Sequence, residues 1–286
     1  MRILVTGSNG QLGRSLQKLA ETDRVHDWYF TDVEELDITK ATQVKHYLNS
    51  QNIDVCINCA AYTAVDKAED DQQMAYLLNA TAPQILATAC RETKALLIHI
   101  STDYVFDGLN YKPYQEDDPI SPASAYAKSK ADGEQAILNS GANYVIVRTS
   151  WLYSEYGGNF VKTMIRLGKE KESLNVVADQ IGTPTYAFDL AAAILLIAES
   201  EKADDHNQIY HFSNEGAISW YDFAQTIMEL EKIDCKVFPI ESKDYPVKTK
   251  RPFYSVLNKT KIKNHLGIQI PYWRNSLIKC LEEING

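Results

Sequence analysis

The chain has 286 residues, of which 45% are hydrophobic and 23% charged, a balance typical of a globular protein with a large core. Its net charge is −9, with both signs mixed along the chain, which argues against nucleic acid as a partner because phosphate binding needs a basic patch. The longest apolar stretches, such as residues 191–198, are far shorter than a bilayer span, so we predict no membrane partner. The N-terminus leads straight into an apolar strand rather than into a secretory leader.

Five cysteines are an odd number, which does not suit a disulfide framework. Cys56 and Cys59 form a C-x-x-C pair. It has three possible interpretations: a redox pair, half a zinc site, or two small apolar residues in a buried strand. Because no second pair completes a zinc site, we favour the buried strand. A reduced, cytoplasmic protein is the prediction that follows.

The first 150 residues alternate strand and helix patterns. Apolar runs predict strands at residues 2–6, 28–30, 54–58, 95–100 and 144–148. Apolar residues at helical spacing predict helices around residues 12–19, 44–48 and 72–92. The strands are continuously apolar, which indicates burial on both faces and therefore a parallel sheet between helices. We predict an α/β fold whose residues 1–150 form a Rossmann-type, doubly wound parallel sheet.

Beyond residue 150 the pattern loosens. Strand-like residues 174–177 and 209–212 alternate with helical residues 190–199 and 220–230, and proline and lysine punctuate residues 239–252. We predict that residues 151–286 form mainly a smaller, mixed α/β substrate-binding lobe, with some segments returning to the first domain. A cleft between the lobes is expected at the carboxyl ends of the parallel strands, where such folds bind ligands.

Gly7, Gly10 and Gly13 form a G-x-x-G-x-x-G turn between the first strand and the first helix. In a dinucleotide site the first glycine permits the tight turn, the second lets the backbone approach a pyrophosphate, and the third lets the helix pack closely. The helix N-terminus then offers free N–H groups to the anion. A plain strand-to-helix turn is the alternative, but the position directly after an apolar strand favours a nicotinamide dinucleotide.

Two acidic residues follow at the second strand. Asp32 lies about 20 residues past the turn, where an acid hydrogen-bonds the adenosine ribose and repels a 2′-phosphate. Arg14 nearby would offset that repulsion, so the cofactor is predicted as NADPH or NADH. Asp37 with Ile38 suits the adenine pocket, and a helix N-cap is an equally good interpretation of Asp37.

Tyr126 and Lys130 are four residues apart in a segment with helical propensity, so they share one helix face. A free tyrosine, with a pKa near ~10, is a poor acid–base catalyst at neutral pH, and a neighbouring ammonium stabilises its phenolate. The pair can then exchange a proton with a carbonyl while hydride moves from the cofactor. An exposed Y-x-x-x-K on a surface helix arises often by chance, but Thr102 follows the fourth strand and faces the same predicted cleft.

Several longer segments resemble one known family. The chain is similar to the extended short-chain dehydrogenase/reductases, and within them to the dTDP-4-dehydrorhamnose reductase family, over essentially its whole length. The matching segments are residues 7–13, 58–69 (N-C-A-A-Y-T-A-V-D-K-A-E), 78–81 (L-N-A-T), 101–108 (S-T-D-Y-V-F-D-G), 148–151 (R-T-S-W) and 179–185 (D-Q-I-G-T-P-T), Tyr126 with Lys130, and Arg251-Pro252 with Ser255 and Leu257.

The resemblance implies roles for individual residues. Tyr126 would donate a proton to a C4 keto oxygen, Lys130 would lower the pKa of Tyr126 and hold the nicotinamide ribose, and Thr102 would tune Tyr126. The implied cofactor-binding residues are Gly7, Gly10, Gln11, Leu12, Gly13, Asp32, Asp37, Ile38, Ala60, Ala61, Tyr62, Thr63, Tyr126 and Lys130. The implied substrate-binding residues are Thr102, Asp103, Tyr104, Trp151 and Arg251, although Trp151 also suits a core position at a strand end.

The implied activity is NAD(P)H-dependent reduction of dTDP-4-dehydro-L-rhamnose, a nucleotide sugar, to a precursor of surface polysaccharide. A related nucleotide-sugar 4-reductase or epimerase is one alternative, and a non-catalytic cofactor-binding regulatory subunit is another, which the presence of Thr102, Tyr126 and Lys130 disfavours. Some family members form metal-bridged dimers through an acid on the first helix. Ser15 occupies that helix here, so we predict no metal and leave a homodimer open.

Overall fold

The computed structural model describes residues 1–200 and 207–286. The strands are β1 (Arg2–Thr6), β2 (Asp27–Thr31), β3 (Val55–Asn58), β4 (Leu96–Thr102), β5 (Tyr144–Thr149), β6 (Leu152–Tyr153), β7 (Ser173–Val177), β8 (Ile181–Gly182), β9 (Thr185–Tyr186), β10 (Gln208–His211), β11 (Ile218–Ser219) and β12 (Lys236–Ile240). The α-helices are α1 (Gln11–Ala20), α2 (Ala41–Ser50), α3 (Gln72–Tyr76), α4 (Ala82–Thr93), α5 (Ala125–Leu138), α6 (Phe160–Glu170), α7 (Ala187–Glu199), α8 (Trp220–Glu231), α9 (Thr260–Leu266) and α10 (Trp273–Asn285).

A six-stranded parallel sheet forms the centre of the molecule, in the order β2-β1-β3-β4-β5-β10. One face packs against α1 and α7, and the other against α2, α4 and α5, so that both faces are buried. The predicted doubly wound parallel sheet is therefore confirmed. Because the chain leaves β1 for β2 on one side and returns to β3 on the other, a crevice opens beyond the carboxyl ends of β1 and β3.

The second lobe is a mixed layer around its own core. The parallel pair β7 and β12 packs against α6, α8 and α10, with Phe223 and Leu277 fully buried between them. Residue 150 does not separate the two cores cleanly, because two later segments join the sheet layer: β10 pairs with β5, and α7 packs against α1. In the described part of the chain, no helix combines the length and apolarity that crossing a membrane requires.

The long helical segment predicted at residues 72–92 is interrupted. A π-helical turn, Leu77–Thr81, separates α3 from α4. A Cβ on Gly133 of α5 would lie 2.0 Å from the carbonyl oxygen of Asn79 in this turn, so α5 packs directly on the turn's backbone. Such single π-helical turns are frequent at functional sites.

Candidate active site

The turn between β1 and α1 packs against the loop that follows β3. Gly7 has a φ of +65°, and a Cβ there would lie 2.6 Å from the Cα and N atoms of Ala60. A Cβ on Gly13 would lie 2.5 Å from the Cα of Ser8, so this glycine lets α1 approach the turn. A Cβ on Gly10 would meet only the Gly7 carbonyl oxygen, at 3.3 Å. Gly7 and Gly13 therefore serve packing, and Gly10 keeps the approach to the turn open.

A cavity of about 650 Å³ lies in the crevice beyond β1 and β3. Its volume is in the range of cofactor sites. The predicted cofactor residues that line it are Gly7, Gly10, Asp32, Asp37, Ile38, Ala60 and Ala61. Leu36, Met74, Leu77 and Leu78 add an apolar wall.

Other predicted cofactor residues lie outside this lining. Leu12 is buried in the sheet core, and the Gln11 side chain turns toward the second lobe, where its Oε1 accepts hydrogen bonds from Ser154 (3.1 Å) and Asn159 (2.9 Å). The backbone N–H groups of residues 11–13 precede the first full helical hydrogen bond, so they can bind an anion. Tyr62 is half-buried and its backbone is held by Asn79 of the π-helical turn, whereas Thr63 is exposed.

The two acidic residues at the cavity are held by backbone N–H groups. Asp32 accepts from Asn9 at 3.1 Å and from Val33 at 2.8 Å. Asp37 accepts from the hydroxyl and the N–H of Thr39, which lowers the pKa of the Asp37 carboxyl. The alternative interpretation of Asp37 as a helix N-cap is wrong, because α2 begins four residues later, at Ala41.

The positive side chain at this cavity is Lys40 rather than the expected Arg14. The Arg14 guanidinium lies 4.9 Å above the ring of Tyr156, in the second lobe. Lys40 lines the cavity instead, with its Nζ 4.0 Å from Oδ2 of Asp37. No sequence pattern predicts Lys40 as a site residue, because its position depends on the conformation of the loop between β2 and α2.

Tyr126 is buried in the first turn of α5. Ser124 caps this helix by accepting from Ala127 N at 3.1 Å. The ring of Tyr126 meets that of Tyr104 edge to face, with centroids 5.6 Å apart. Burial raises the pKa of Tyr126, and a hydrogen bond with the Thr102 hydroxyl opposes that rise. The structure thus brings Thr102 and Tyr126 together at the carboxyl end of β4.

Lys130 lies one helical turn farther along α5 and is also buried. Its Nζ donates to the carbonyl oxygen of Ile100 at 2.6 Å and lies 3.4 Å from Nε2 of His99. Burial lowers the pKa of Lys130 to about 8, although the charge of Glu134 raises it. The amine is therefore held on the backbone of β4, beneath the edge that carries Thr102.

The predicted substrate residues cluster beside Tyr126. Asp103 is buried, its Oδ1 accepts from Thr102 at 3.0 Å, and its Oδ2 has no hydrogen-bond partner within the described chain. Burial raises the pKa of Asp103 to about 6. Arg251 pairs with Asp66 at 2.5 Å and hydrogen-bonds Tyr104.

A second cavity, of about 390 Å³, lies between Tyr104 and the second lobe. Its lining comprises Asp66, Tyr104, Phe160, Met164, Asn175, Val176, Val177, Gln180, Trp220, Tyr245, Pro246, Val247 and Arg251. Trp151 stacks on Trp220, with centroids 3.5 Å apart, and its φ of +47° is unusual for a residue with a side chain. Trp220 lines this cavity and Trp151 supports it. No sequence pattern predicts Trp220 as a site residue, since a lone tryptophan at a helix start carries no distinctive motif.

Ser15, on the helix that carries a metal-binding acid in some family members, is buried in α1. The Oγ of Ser15 donates to the carbonyl oxygen of Gln11 at 3.0 Å. Within residues 1–200 and 207–286, no group of three or more His, Cys, Asp or Glu side chains is placed to hold a metal ion. The five cysteines are free thiols, and Cys56 is fully buried in β3, as the apolar interpretation predicts.

Comparison with known proteins identifies relatives over the full length. The family model described as RmlD substrate binding domain matches residues 1–285. A dTDP-4-dehydrorhamnose reductase from Aggregatibacter actinomycetemcomitans is 44% identical over 285 residues, covering 96% of this chain and 97% of that protein. A crystal structure of a dTDP-4-dehydrorhamnose reductase from Clostridium acetobutylicum has a TM-score of 0.95 at 43% identity, covering 100% of both chains. The same enzyme from Bacillus anthracis, solved in complex with NADP, has a TM-score of 0.94 at 40% identity and 99% coverage of each chain.

Proposed function

Because the chain belongs to the RmlD substrate binding domain family, we propose that it reduces the C4 keto group of dTDP-4-dehydro-L-rhamnose to give dTDP-L-rhamnose, with NADPH or NADH as reductant. The observation that carries this proposal is the interaction between Tyr126 and Thr102 at the carboxyl edge of the sheet, beside Tyr104, which lines the second cavity. A regulatory subunit without catalysis would have no need of this buried tyrosine, lysine and threonine together.

The residues of the first cavity fit a dinucleotide. Gly10 keeps open the approach to the N-terminus of α1, whose free N–H groups suit a pyrophosphate. Asp32 would accept a hydrogen bond from a ribose hydroxyl, and Ile38 with the apolar wall would contact the adenine, since all of them line this cavity. Lys130 would hold the nicotinamide ribose. A dinucleotide held there would supply the hydride for C4 of the sugar.

Tyr126 supplies the proton that completes the reduction. As hydride reaches C4, the carbonyl oxygen gains charge and takes the phenolic proton, so that the keto group becomes a hydroxyl. Thr102 opposes the rise in the pKa of Tyr126 when its hydroxyl turns from Oδ1 of Asp103 to the phenolate, and the Lys130 ammonium would stabilise that phenolate. The free Oδ2 of Asp103 is available to accept a hydrogen bond from a sugar hydroxyl.

The second cavity is proposed as the site of the nucleotide part of the substrate. Arg251 carries a guanidinium fork suited to a diphosphate, provided that its pairing with Asp66 rearranges. Trp220, supported by Trp151, offers a flat face for the base or the sugar. These roles extend the predictions for Trp151 and Arg251.

We also propose that the enzyme works in the cytoplasm, which is consistent with its free thiols. Pairing of two copies through a metal on α1 is not part of the proposal, because Ser15 is buried there. The molecular mass in solution, measured by light scattering, would establish whether a homodimer forms without metal.

The proposed function is tested by the loss of NADPH or NADH absorbance with dTDP-4-dehydro-L-rhamnose, with the product identified by mass. Tyr126→Phe should lower kcat by about 10²- to 10⁴-fold and leave dinucleotide affinity nearly unchanged, since only the proton donor is lost. Tyr144→Phe is the matched control, because this half-buried tyrosine lies at the amino end of β5, opposite the carboxyl edge of the sheet that carries Thr102. A folded protein that ignores this substrate but reduces another 4-keto nucleotide sugar would refute the substrate, and unchanged turnover in Tyr126→Phe would refute the proton donor.

A further inference from the structure

A buried row of polar side chains crosses the sheet from the glycine turn to Lys130. Thr6, Asn58 and His99 are adjacent in register on β1, β3 and β4, and all three are buried. The Thr6 hydroxyl donates to Oδ1 of Asn58 at 2.8 Å, and Nδ2 of Asn58 lies 3.0 Å from Nδ1 of His99. Nε2 of His99 then lies 3.4 Å from Nζ of Lys130. The proposed mechanism uses only the last residue of this row.

The orientation of the Asn58 amide is fixed by the backbone. The N–H of Ala60, which can only donate, is 3.1 Å from Oδ1 of Asn58. A flipped amide would place its NH₂ group against this N–H and leave the Ala60 N–H without an acceptor. The Nδ2 group of Asn58 therefore faces His99.

This orientation determines the tautomer of His99. Because Nδ2 of Asn58 can only donate, Nδ1 of His99 must accept, and the single proton of the neutral ring resides on Nε2. Burial lowers the pKa of His99 well below its ordinary value, and the charge of Lys130 lowers it further, so the ring stays neutral. An Nε2–H group thus points at Lys130. It repels an ammonium, whereas it can donate to a neutral amine.

The other charged groups around Lys130 are already engaged. Glu134, one turn along α5, forms a buried ion pair with Arg148 of β5, Nη2 to Oε2 at 2.7 Å. Tyr126, one turn back, is neutral at ordinary pH because burial raises its pKa. Asp103 and Tyr104, which directly follow β4, raise the pKa of Tyr126 through their charges. His99 is therefore the titratable group of the neighbouring strand that faces the amine directly.

We propose that Asn58 and His99 are positioning residues that favour the neutral amine of Lys130 in the dinucleotide-free enzyme, and that dinucleotide binding converts this amine to the ammonium with uptake of a proton from solvent. The inference rests on the proposed function in one respect, that Lys130 meets the nicotinamide ribose. Ribose hydroxyls are acceptors for the ammonium, so binding reverses the preference that His99 imposes. The neutral amine, about a tenth of the molecules at pH 7 and most of them at pH 9, is thereby converted to the ammonium that can stabilise a phenolate.

Proton uptake on binding is measured by calorimetry of NADH binding in buffers of different ionisation enthalpy. NADH is chosen because it lacks the 2′-phosphate, which itself titrates. With the pKa of Lys130 at about 8 in the free enzyme, we expect about 0.9 proton taken up at pH 9 and about 0.1 at pH 7. Uptake that is absent at pH 9 would overturn the proposal.

Asn58→Asp reverses the tautomer with almost no change in shape. Its carboxylate still accepts from Ala60 and Thr6, but its second oxygen now accepts from Nδ1–H of His99, which turns the Nε2 lone pair toward Lys130. The ammonium is then favoured before binding, and uptake at pH 9 should fall roughly fivefold or more, as a rise in the pKa of Lys130 demands. Thr6→Val is the matched control, since Ala60 still orients Asn58 and the uptake should stay. Equal proton uptake in Asn58→Asp and in the unchanged protein would contradict the proposed effect of Asn58 and His99 on Lys130.

The tautomer can also be read directly, by ¹⁵N NMR of the His99 ring in the dinucleotide-free protein. We expect protonated Nε2 and bare Nδ1, and a proton on Nδ1 would overturn the proposal even if Asn58→Asp fails to fold. Neither measurement depends on turnover. If only the proposed function is wrong, the substrate stays unreduced while His99 still carries its proton on Nε2. If only the effect of Asn58 and His99 on Lys130 is wrong, the substrate is reduced although the His99 proton is on Nδ1.

Discussion

Lys40 is the residue that bears most directly on the choice between NADPH and NADH. It shares the first cavity with Asp32, whose carboxylate repels a 2′-phosphate, and its own ammonium attracts one. Lys40→Ala should raise KM for NADPH about fivefold, the effect of an exposed ion contact near ~1 kcal/mol, and leave KM for NADH within about twofold. Initial rates with each dinucleotide check this.

Lys45→Ala is the control for Lys40→Ala. Lys45 lies on α2 outside this cavity, where its Nζ pairs with Glu92 at 2.9 Å. Its removal should alter neither KM. An equal rise for both dinucleotides in Lys40→Ala would mean that Lys40 supports the loop rather than the phosphate.

Single residues were predictable where a motif constrains them. Tyr126, Lys130 and Thr102 carry their signal in spacing and in the order of strand and helix. Tyr126 and Thr102 interact at the edge of the sheet, and Lys130 lies beneath them on the backbone of β4. Lys40, His99 and Trp220 have no such spacing, because their positions depend on a loop path or on register between strands. The same limit applies to Asp37, whose acceptor role in a turn differs from the helix cap that its neighbours suggest.

At the scale of elements, α5 is held to the sheet by a buried ion pair. Glu134 accepts from Arg148 of β5 and from the hydroxyl of Ser101, the residue before Thr102. Glu134→Gln should lower the free energy of unfolding by about 3–5 kcal/mol, because it leaves the Arg148 charge buried without its partner. Urea unfolding followed by circular dichroism measures this.

A matched ion pair on the surface provides the comparison. Glu92→Gln removes the partner of Lys45 between α4 and α2, where water solvates both groups, and should leave the unfolding midpoint unchanged. If Glu134→Gln is as mild as Glu92→Gln, then water or another group compensates Arg148. A large loss of kcat in Glu134→Gln at full stability would instead assign Glu134 to catalysis.

The elements themselves were predictable to different degrees. Strands β1 to β5 are apolar throughout because both faces are covered, and that pattern is visible without a structure. The helices α6 and α10 and the short strands of the second lobe were missed, because their apolar residues are spread among polar ones. The π-helical turn has no local signature, since it arises where Asn79 and Gly133 bring two helices together.

At the scale of the whole molecule, the two lobes are joined by polar contacts that sequence separation conceals. Gln11 at the start of α1 accepts from Asn159, which caps α6, and Arg251 reaches Asp66 in the first lobe. The strand β10 completes the sheet from beyond residue 150. The domain division stays a prediction, since long-range pairing of this kind leaves no mark on local patterns.

Buried histidines make the whole fold sensitive to acid. His211 in β10 is fully buried, and burial together with the charge of Arg148 lowers its pKa to about 3 from 6.5. Between pH 6.5 and pH 3 the unfolded chain binds a proton at His211 and the folded chain does not. The contribution of the neutral His211 to the free energy of unfolding is therefore fully present above pH 6.5 and is lost as pH falls toward 3. His99, whose pKa is also lowered, likewise decreases the free energy of unfolding as pH falls. Asp103, whose pKa is raised, increases it as pH falls below about 6.

We therefore expect the free energy of unfolding to fall by about 1.4 kcal/mol per pH unit between pH 6 and pH 4.5, as two histidines outweigh one aspartate by one proton. In His211→Gln, which cannot take up that proton, the decline should nearly vanish over this range, even if the variant is less stable throughout. His46→Gln, on the exposed side of α2, should keep the slope of the unchanged protein. Urea titrations at four pH values give each slope, and a steep decline that persists in His211→Gln would assign the acid sensitivity to other groups.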